Sequence, residues 1–344
     1  MIFRYKTYLI GLLGAMGLFI NPVAKSADCF LKNAPQTVYT ATPVATYLLM
    51  VLAPEKLAGW NFPAPPQAKG IFPDSSFSKP VIGGWFGQGR TPNMENLVAT
   101  KPQLIVNSGT TVNLEKQASL KQFGIPVCSL KLDRLEDYPT AIRQFGVWLG
   151  KPQRANTLAD YTQKQIKWLS AQKHKLRTNN VPMKTVYYAE TPSGLATECR
   201  GSIHSEVIPL SGAINSHLCP ASSGKQNRFG RVNINFEQLL AYNPDAIITQ
   251  DVTFYRQVYV DAKWQALKAV KNKQVFLVPQ TPFRWIDRPP SFMRMIAAPW
   301  LMHKLYPDQI QWNDIRQTKE FFHLFFQVSL TDEQVQTILN GKTL

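Results

Sequence analysis

The chain is short of acid. Its 38 lysines and arginines face 22 aspartates and glutamates, a formal charge of +16. It holds five histidines and four cysteines, and no Cys-x-x-Cys occurs, which removes zinc-ribbon and thioredoxin-like sites. His-Glu-x-x-His and Gly-x-Ser-x-Gly are also missing, and no histidine stands in a recognisable catalytic setting. These absences weigh against an exported metal-dependent hydrolase, the alternative of another class, and the chain reads as a non-enzyme. A glycine-rich stretch after Ile82 lacks the Gly-Lys-Ser/Thr ending of a phosphate loop. The basic excess is dispersed, with no run beyond Lys173-His174-Lys175, so nucleic acid is not an expected partner. Anionic small molecules or a membrane surface fit such a surface better.

Residues 1–27 read as an export signal. Arg4 and Lys6 form a basic start, and an apolar run of 12 residues from Leu9 to Ile20 is too short to span a bilayer comfortably. Ala24, Ser26 and Ala27 supply small residues for cleavage near Ser26-Ala27. Cys29 invites a lipoprotein reading, but Asp28 precedes it where a lipid-attachment signal wants Gly or Ala, so a soluble periplasmic protein is favoured. No later segment approaches about 20 unbroken apolar residues.

Two segments 142 residues apart nearly match. Residues 93–106 read Asn-Met-Glu-Asn-Leu-Val-Ala-Thr-Lys-Pro-Gln-Leu-Ile-Val, and residues 235–248 read Asn-Phe-Glu-Gln-Leu-Leu-Ala-Tyr-Asn-Pro-Asp-Ala-Ile-Ile. Asn, Glu, Leu, Ala, Pro and Ile share six offsets. The period is too long for a solenoid, whose units run about 20–50 residues, and points to two similar lobes. A cleft between lobes is a preferred small-molecule site. Asn93 and Asn235 are suited to cap a helix, with Gln238 placed to complete a capping box. Glu95 and Glu237 fall in the first turn, where the helix dipole favours a carboxylate. Leu97, Val98, Leu239 and Leu240 are expected to face inward, and Pro102 and Pro244 to end the helices.

The remaining pattern alternates β and α, as a parallel sheet with helices on its faces does. Strands are predicted over 37–40, 104–107, 125–130, 185–189, 246–249 and 274–278, with a short one at 81. Helices are predicted over 43–52, 113–123, 138–149, 205–210, 263–269, 292–305, 314–326 and 332–339. The longest, from Pro152 to about Leu176, reads as a rigid strut between lobes. The divisions are therefore a signal at 1–27, an N-terminal lobe at 28–149, a linker helix at 150–180 and a C-terminal lobe at 181–344. Cys199 and Cys219, 20 residues apart in one loop-rich stretch, are the natural disulfide in an oxidising compartment. Cys199 with His204 could form a soft metal site instead. The pairing of Cys29 with Cys128 stays open.

The stretches Leu-Ala-Pro-Glu-Lys-Leu-Ala-Gly (52–59), Ile-Gly-Gly-Trp (82–85), the two repeat copies, and Arg-Pro-Pro-Ser (288–291) before Trp-Leu-Met-His-Lys-Leu-Tyr-Pro (300–307) carry a family resemblance. Over nearly the whole exported chain the sequence resembles the class III periplasmic substrate-binding proteins of ABC importers, which handle ferric siderophores, haem and cobalamin. The resemblance implies two α/β lobes on one linker helix, a monomer, and delivery of a small-molecule metal chelate to permease subunits with their ATPase. It implies that Glu95 and Glu237 dock on that permease. An iron(III)-siderophore is the leading cargo, with haem, cobalamin and a nickel or cobalt complex as alternatives. No cofactor is built in, and a metal, iron first, is expected only within the bound chelate.

Ligands of open parallel sheets bind beyond the carboxyl ends of the strands. Loops there offer Thr42, Trp85, Arg90, Ser108 to Thr111, Arg200, His204, Tyr255, Arg256, Arg284, Trp285 and Arg288. Arginine suits carboxylate, phosphate or catecholate oxygens, and tryptophan offers a flat apolar face. An arginine-rich cleft favours an anion over cobalamin. His204 and Tyr255 are the candidates for a direct bond to a metal. Arg288, before two prolines, is equally suited to hold its own loop.

Overall fold

The computed structural model describes residue 29 and residues 31–85, 91–108, 124–220 and 230–344. The export signal, Arg90, the loop after Ser108 and the helix expected at 113–123 lie outside the described residues.

The first lobe is built on a parallel sheet in the order β1–β2–β3: Val38–Thr40, Leu104–Ser108 and Val127–Leu130. Val38 pairs with Leu104 and Ile105 with Val127, and β2 is buried along its whole length, as a central parallel strand must be. Helices α1 (Pro43–Leu52) and α2 (Met94–Ala99) lead into and out of this sheet. Helix α3 (Tyr138–Leu149) ends at Gly150, whose φ of +70° closes the helix as only glycine does cheaply. The linker helix α4 (Pro152–Thr178) has 27 residues, about 40 Å at the helical rise. It turns back along α3 so closely that a β-carbon on Gly146 would stand 2.1 Å from that of Ala155.

The second lobe carries a four-stranded parallel sheet in the order β6–β4–β8–β9: Ile214–Asn215, Thr185–Ala189, Ala246–Thr249 and Val275–Leu277. A short antiparallel ribbon of β5 (Ala196–Glu198) and β7 (Arg231–Asn233) flanks it, which the sequence pattern did not reveal. Helices α5 (Val207–Leu210), α6 (Phe236–Tyr242) and α7 (Val252–Gln257) belong to this lobe, and α8 (Arg294–Leu305), α9 (Asp314–Phe326) and α10 (Asp332–Leu339) complete the chain. Among the described residues no helix is long and apolar enough to cross a membrane.

The repeat is physical. Asn93 and Asn235 both cap their helices, accepting from the backbone of Asn96 and Gln238. Gln103 and Asp245, unlike in chemistry, do the same work: each side chain accepts a backbone N–H at the start of the neighbouring strand region, from Gln36 and Thr185 respectively. Two expectations are corrected. Gln238 does not complete a capping box but reaches along its helix to the Tyr242 hydroxyl at 2.8 Å. Val98 and Leu240 do not face inward; they are 44% and 39% exposed, because a short helix on an open sheet buries only its Leu97 or Leu239 side. The segments expected as helices at 205–210 and 263–269 each divide into a 3-10 turn followed by a one-turn helix. Residue 81 makes a single bridge to Trp60 rather than a strand.

The lobes are fastened where the linker helix and the C-terminal helices meet. Arg154 on α4 donates to Val51 O at the end of α1 and to Phe325 O on α9. Glu206 accepts the backbone N–H of Leu135 at 3.2 Å and pairs with the fully buried Arg294. Tyr47 of α1 stacks on Phe283 with ring centres 3.8 Å apart and planes 12° from parallel. These packed, hydrogen-bonded contacts tie the two lobes together across the linker helix.

Candidate ligand-binding site

The carboxyl ends of the strands present different chemistry on the two lobes. In the N-terminal lobe, Thr42 follows β1 and its hydroxyl is hydrogen-bonded to Ser108 at the end of β2. Behind it, Asn61 is clamped by donation to Thr40 O and Gly83 O at 2.8 and 2.9 Å. A shallow concavity with a cavity volume of about 10 Å3 lies here, lined by Pro43, Thr46, Tyr47, Trp60, Asn61, Phe62 and Pro63.

In the C-terminal lobe the strand ends hold a buried cluster of charge. Glu190 follows β4, Glu198 ends β5, and Asp287 and Arg288 sit in the loop after β9. The Arg288 guanidinium bonds Glu190 at 2.9 Å, Glu198 at 2.6 Å and Asp287 at 3.3 Å. Arg231 adds a second cation to Glu190 at 3.0 Å. His204 Nδ1 lies 2.5 Å from Asp287 Oδ1, and Ser202 donates to Glu198 at 2.8 Å. Arg288 takes φ of +61°, a conformation that side chains rarely adopt, and the carboxylates around its head offset that cost.

Charge states follow from this crowding. Burial pushes Glu198 up to about 8, against the pull of His204 and helped by Glu190. Burial works against both members of the His204–Asp287 pair, but mutual attraction wins: Asp287 is held below the usual carboxylate range and His204 above the usual imidazole value. Burial also opposes the Arg288 charge, and its three carboxylates more than restore it. The cluster is thus a self-neutralising scaffold beneath the loop it holds.

That loop carries the exposed Arg284. Its neighbour Phe283 is the residue stacked on Tyr47, and the Arg284 charge acts on Tyr47 of the first lobe and on Tyr188 of the second. Burial raises Tyr47 to about 12, with Arg284 pulling it back. No ion pair engages Arg284 among the described residues.

The other residues singled out from the sequence are dispersed. Trp285 is fully buried and its indole N–H donates to Thr281 O at 2.8 Å, so it builds the loop and presents no face to a ligand. Trp85 is 4% exposed and packs edge-on against Tyr39 in the first lobe's core. Arg200 is spent on the carbonyl of Asn215 at 2.9 and 3.0 Å. Tyr255 is half-buried on α7 and edge-on to Tyr259, Arg256 is exposed, and no hydrogen bond or ring contact among the described residues joins Tyr255 to His204. Arg288 belongs to the scaffold rather than to a free anion site. Glu95 and Glu237 are exposed in the first turns of α2 and α6. Cys199 and Cys219 form a disulfide, and no cysteine is a free thiol. With Cys199 oxidised, the pairing of Cys199 with His204 as a metal site does not form. Sequence reading passed over Glu190, Glu198 and Asp287; the signal was present in acids placed directly after an apolar strand and directly before Arg288.

Residues 85–282 match the periplasmic binding protein family. The chain belongs to that family. A solute-binding protein of an ABC transporter from Sulfurospirillum deleyianum superposes with a TM-score of 0.81 at 35% identity, covering 90% of this chain and 95% of that one. The vitamin B12-binding protein of Pectobacterium atrosepticum is 26% identical over 251 residues, 72% of this chain and 78% of its own. The molybdate-bound periplasmic protein of Haemophilus influenzae has the same fold, with a TM-score of 0.70 at 18% identity over 88% and 96% of the two chains. The chain is therefore a binding protein of an ABC importer with the class III architecture, two parallel-sheet lobes on one linker helix with a cleft between them.

Proposed function

We propose that this binding protein captures an anionic metal complex, an iron(III)-siderophore first, in the inter-lobe cleft and delivers it to an inner-membrane permease. The observation that carries the reading is Arg284, an exposed cation without an ion pair among the described residues, next in the chain to Phe283, which stacks on Tyr47 of the first lobe. A guanidinium at a junction of two lobes can grip carboxylate or catecholate oxygens from a ligand that touches both sides. His204 supplies a ligand for a metal with an open position: Asp287 keeps a proton on Nδ1, and the metal must displace the Nε2 proton that the same carboxylate favours. Glu95 and Glu237, at matching places on the lobes, meet basic residues of the permease, where such pairs set on-rate and specificity. The export signal is removed near Ser26-Ala27, and the mature protein works as a periplasmic monomer.

A compact metal oxoanion is the second reading. The cavity beside Tyr47 measures only about 10 Å3, room for about one water and far below the roughly 300–1,000 Å3 of usual ligand pockets, so a small anion fits there better than a bulky chelate. The test is thermal denaturation of the mature protein with ferric catecholate and hydroxamate siderophores, haem, cobalamin, nickel–histidine, molybdate and phosphate. A saturable rise in midpoint with one anionic metal complex supports the proposal. Stabilisation by cobalamin alone, or by nothing in the panel, refutes it.

A further inference from the structure

A second cluster of donors lies around the disulfide. Cys199 is fully buried and His217 is 5% exposed. Cys219 Sγ is 3.3 Å from His217 Nε2, and the two sulfurs and the imidazole place one ligand atom each within 4.8 Å of one another. The backbone fixes the imidazole's station: His217 N–H donates to Asn215 Oδ1 at 3.1 Å, and His217 O accepts from Arg200 N–H at 2.8 Å. Its other ring nitrogen, Nδ1, is 2.9 Å from the Tyr242 hydroxyl. Two sulfurs and an imidazole are the donor set that soft and borderline metals prefer. With Zn–S of about 2.3 Å and Zn–N of about 2.0–2.1 Å, a tetrahedral ion holds S and N roughly 3.5 Å apart, close to the spacing already present.

We infer that reduction of the Cys199–Cys219 bridge opens a Zn2+ site held by two thiolates and His217 Nε2, so that disulfide and metal are alternative occupants of one place. The redox step consumes two electrons and two protons. An external dithiol supplies both, breaks the S–S bond into two thiols, and leaves as its own disulfide. Zn2+ then displaces the two thiol protons, and water fills the fourth position. His217 changes tautomer with the occupant. In the disulfide form Nε2 carries the proton toward sulfur and Nδ1 accepts from Tyr242. In the zinc form Nε2 gives its lone pair to the metal and Nδ1–H donates to the Tyr242 oxygen, the outer partner that orients metal-bound histidines.

The test titrates mature protein with Zn2+ against a chromogenic chelator, before and after reduction by a phosphine, which takes its oxygen from water, and anaerobic desalting. Because Cys29 and Cys128 are also reduced, C199S/C219S is the reference. The expected result is one equivalent of Zn2+ bound by the reduced wild type beyond that reference, and none gained by the oxidised protein. His217→Ala binds at least about tenfold more weakly, and Tyr242→Phe about tenfold, in the range for lost outer partners. Equal binding by reduced wild type and C199S/C219S, or by His217→Ala and wild type, overturns the inference. Mass-spectrometric alkylation keeps it falsifiable where reduction loosens the chain. Zn2+ must shield Cys199 and Cys219 in the wild type but not in His217→Ala, and loss of that contrast overturns it too.

Discussion

His204 Nδ1 and Asp287 Oδ1 lie 2.5 Å apart, the carboxylate wholly buried and the imidazole side chain 13% exposed. The pair locks a strand-end helix turn of the second lobe to the loop that carries Arg284. Its charge state is set by a balance: burial disfavours both ions, and their attraction outweighs burial. Asp287→Asn removes the attraction and leaves the burial. The His204 pKa should then fall, read from its imidazole proton shifts by NMR. An unchanged titration would show that Asp287 does not hold the imidazole charged.

The same groups set the pH dependence of stability. Glu198 and His204 have raised pKa values in the folded chain, so the native state keeps protons that the unfolded chain releases. Their contribution is complete below the unfolded values and is lost as pH rises through the folded ones, for Glu198 between about 4.5 and about 8. Asp287, held low, contributes above its unfolded value and loses that contribution in acid. Denaturant unfolding across this range should show stability falling on the alkaline side, with the fall reduced in Glu198→Gln. A stability that rises steadily to about pH 8 would contradict these assignments.

Arg288 joins three buried or nearly buried carboxylates. Its replacement by alanine leaves Glu198 without a cation, while Glu190 keeps Arg231 and Asp287 keeps His204, and should cost about 3 kcal/mol, the lower end for breaking a buried pair. Because Glu198 can take up a proton instead, the loss should be smaller in acid than in alkali. Chemical denaturation of Arg288→Ala at two pH values checks both the size and the direction.

Arg284 should behave oppositely. It is exposed, so Arg284→Ala should leave the unfolding midpoint almost unchanged. Loss of a charged hydrogen bond to an anion should weaken ligand binding by about 1.5–3 kcal/mol, roughly 10- to 100-fold. Unaltered affinity in a well-folded Arg284→Ala protein would remove this residue from the binding surface.

Glu95→Lys and Glu237→Lys should leave ligand affinity intact and reduce transport by a reconstituted permease, with the defect deepening at low salt, where like-charge repulsion is less screened. Defective ligand binding in either variant would place these glutamates elsewhere in the account.

Much of the fold was legible because its long elements follow period and punctuation. Pro43, Pro152 and Gly150 mark helix ends, and the helices over 43–52, 138–149 and 314–326 stand where the sequence puts them. The repeated Asn-x-Glu units disclosed two equivalent lobes. The site was less legible, since a side chain's type does not fix where it points. Trp85 and Trp285 look like ligand faces in sequence, yet both are buried in packing that depends on distant residues such as Tyr39. Arg288 looks like an anion grip, yet Glu190 and Glu198, 98 and 90 positions away in the chain, consume it. Val98 and Leu240 break the inward rule because such short helices leave one flank to solvent.

The most direct test of the central claim is calorimetric titration of the mature protein and of Arg284→Ala with the same set of ferric siderophores, molybdate and cobalamin. One anionic metal complex should saturate the wild type at a single site and bind Arg284→Ala roughly 10- to 100-fold more weakly. Equal binding of cobalamin by both proteins, with no response to any anionic complex, would contradict it.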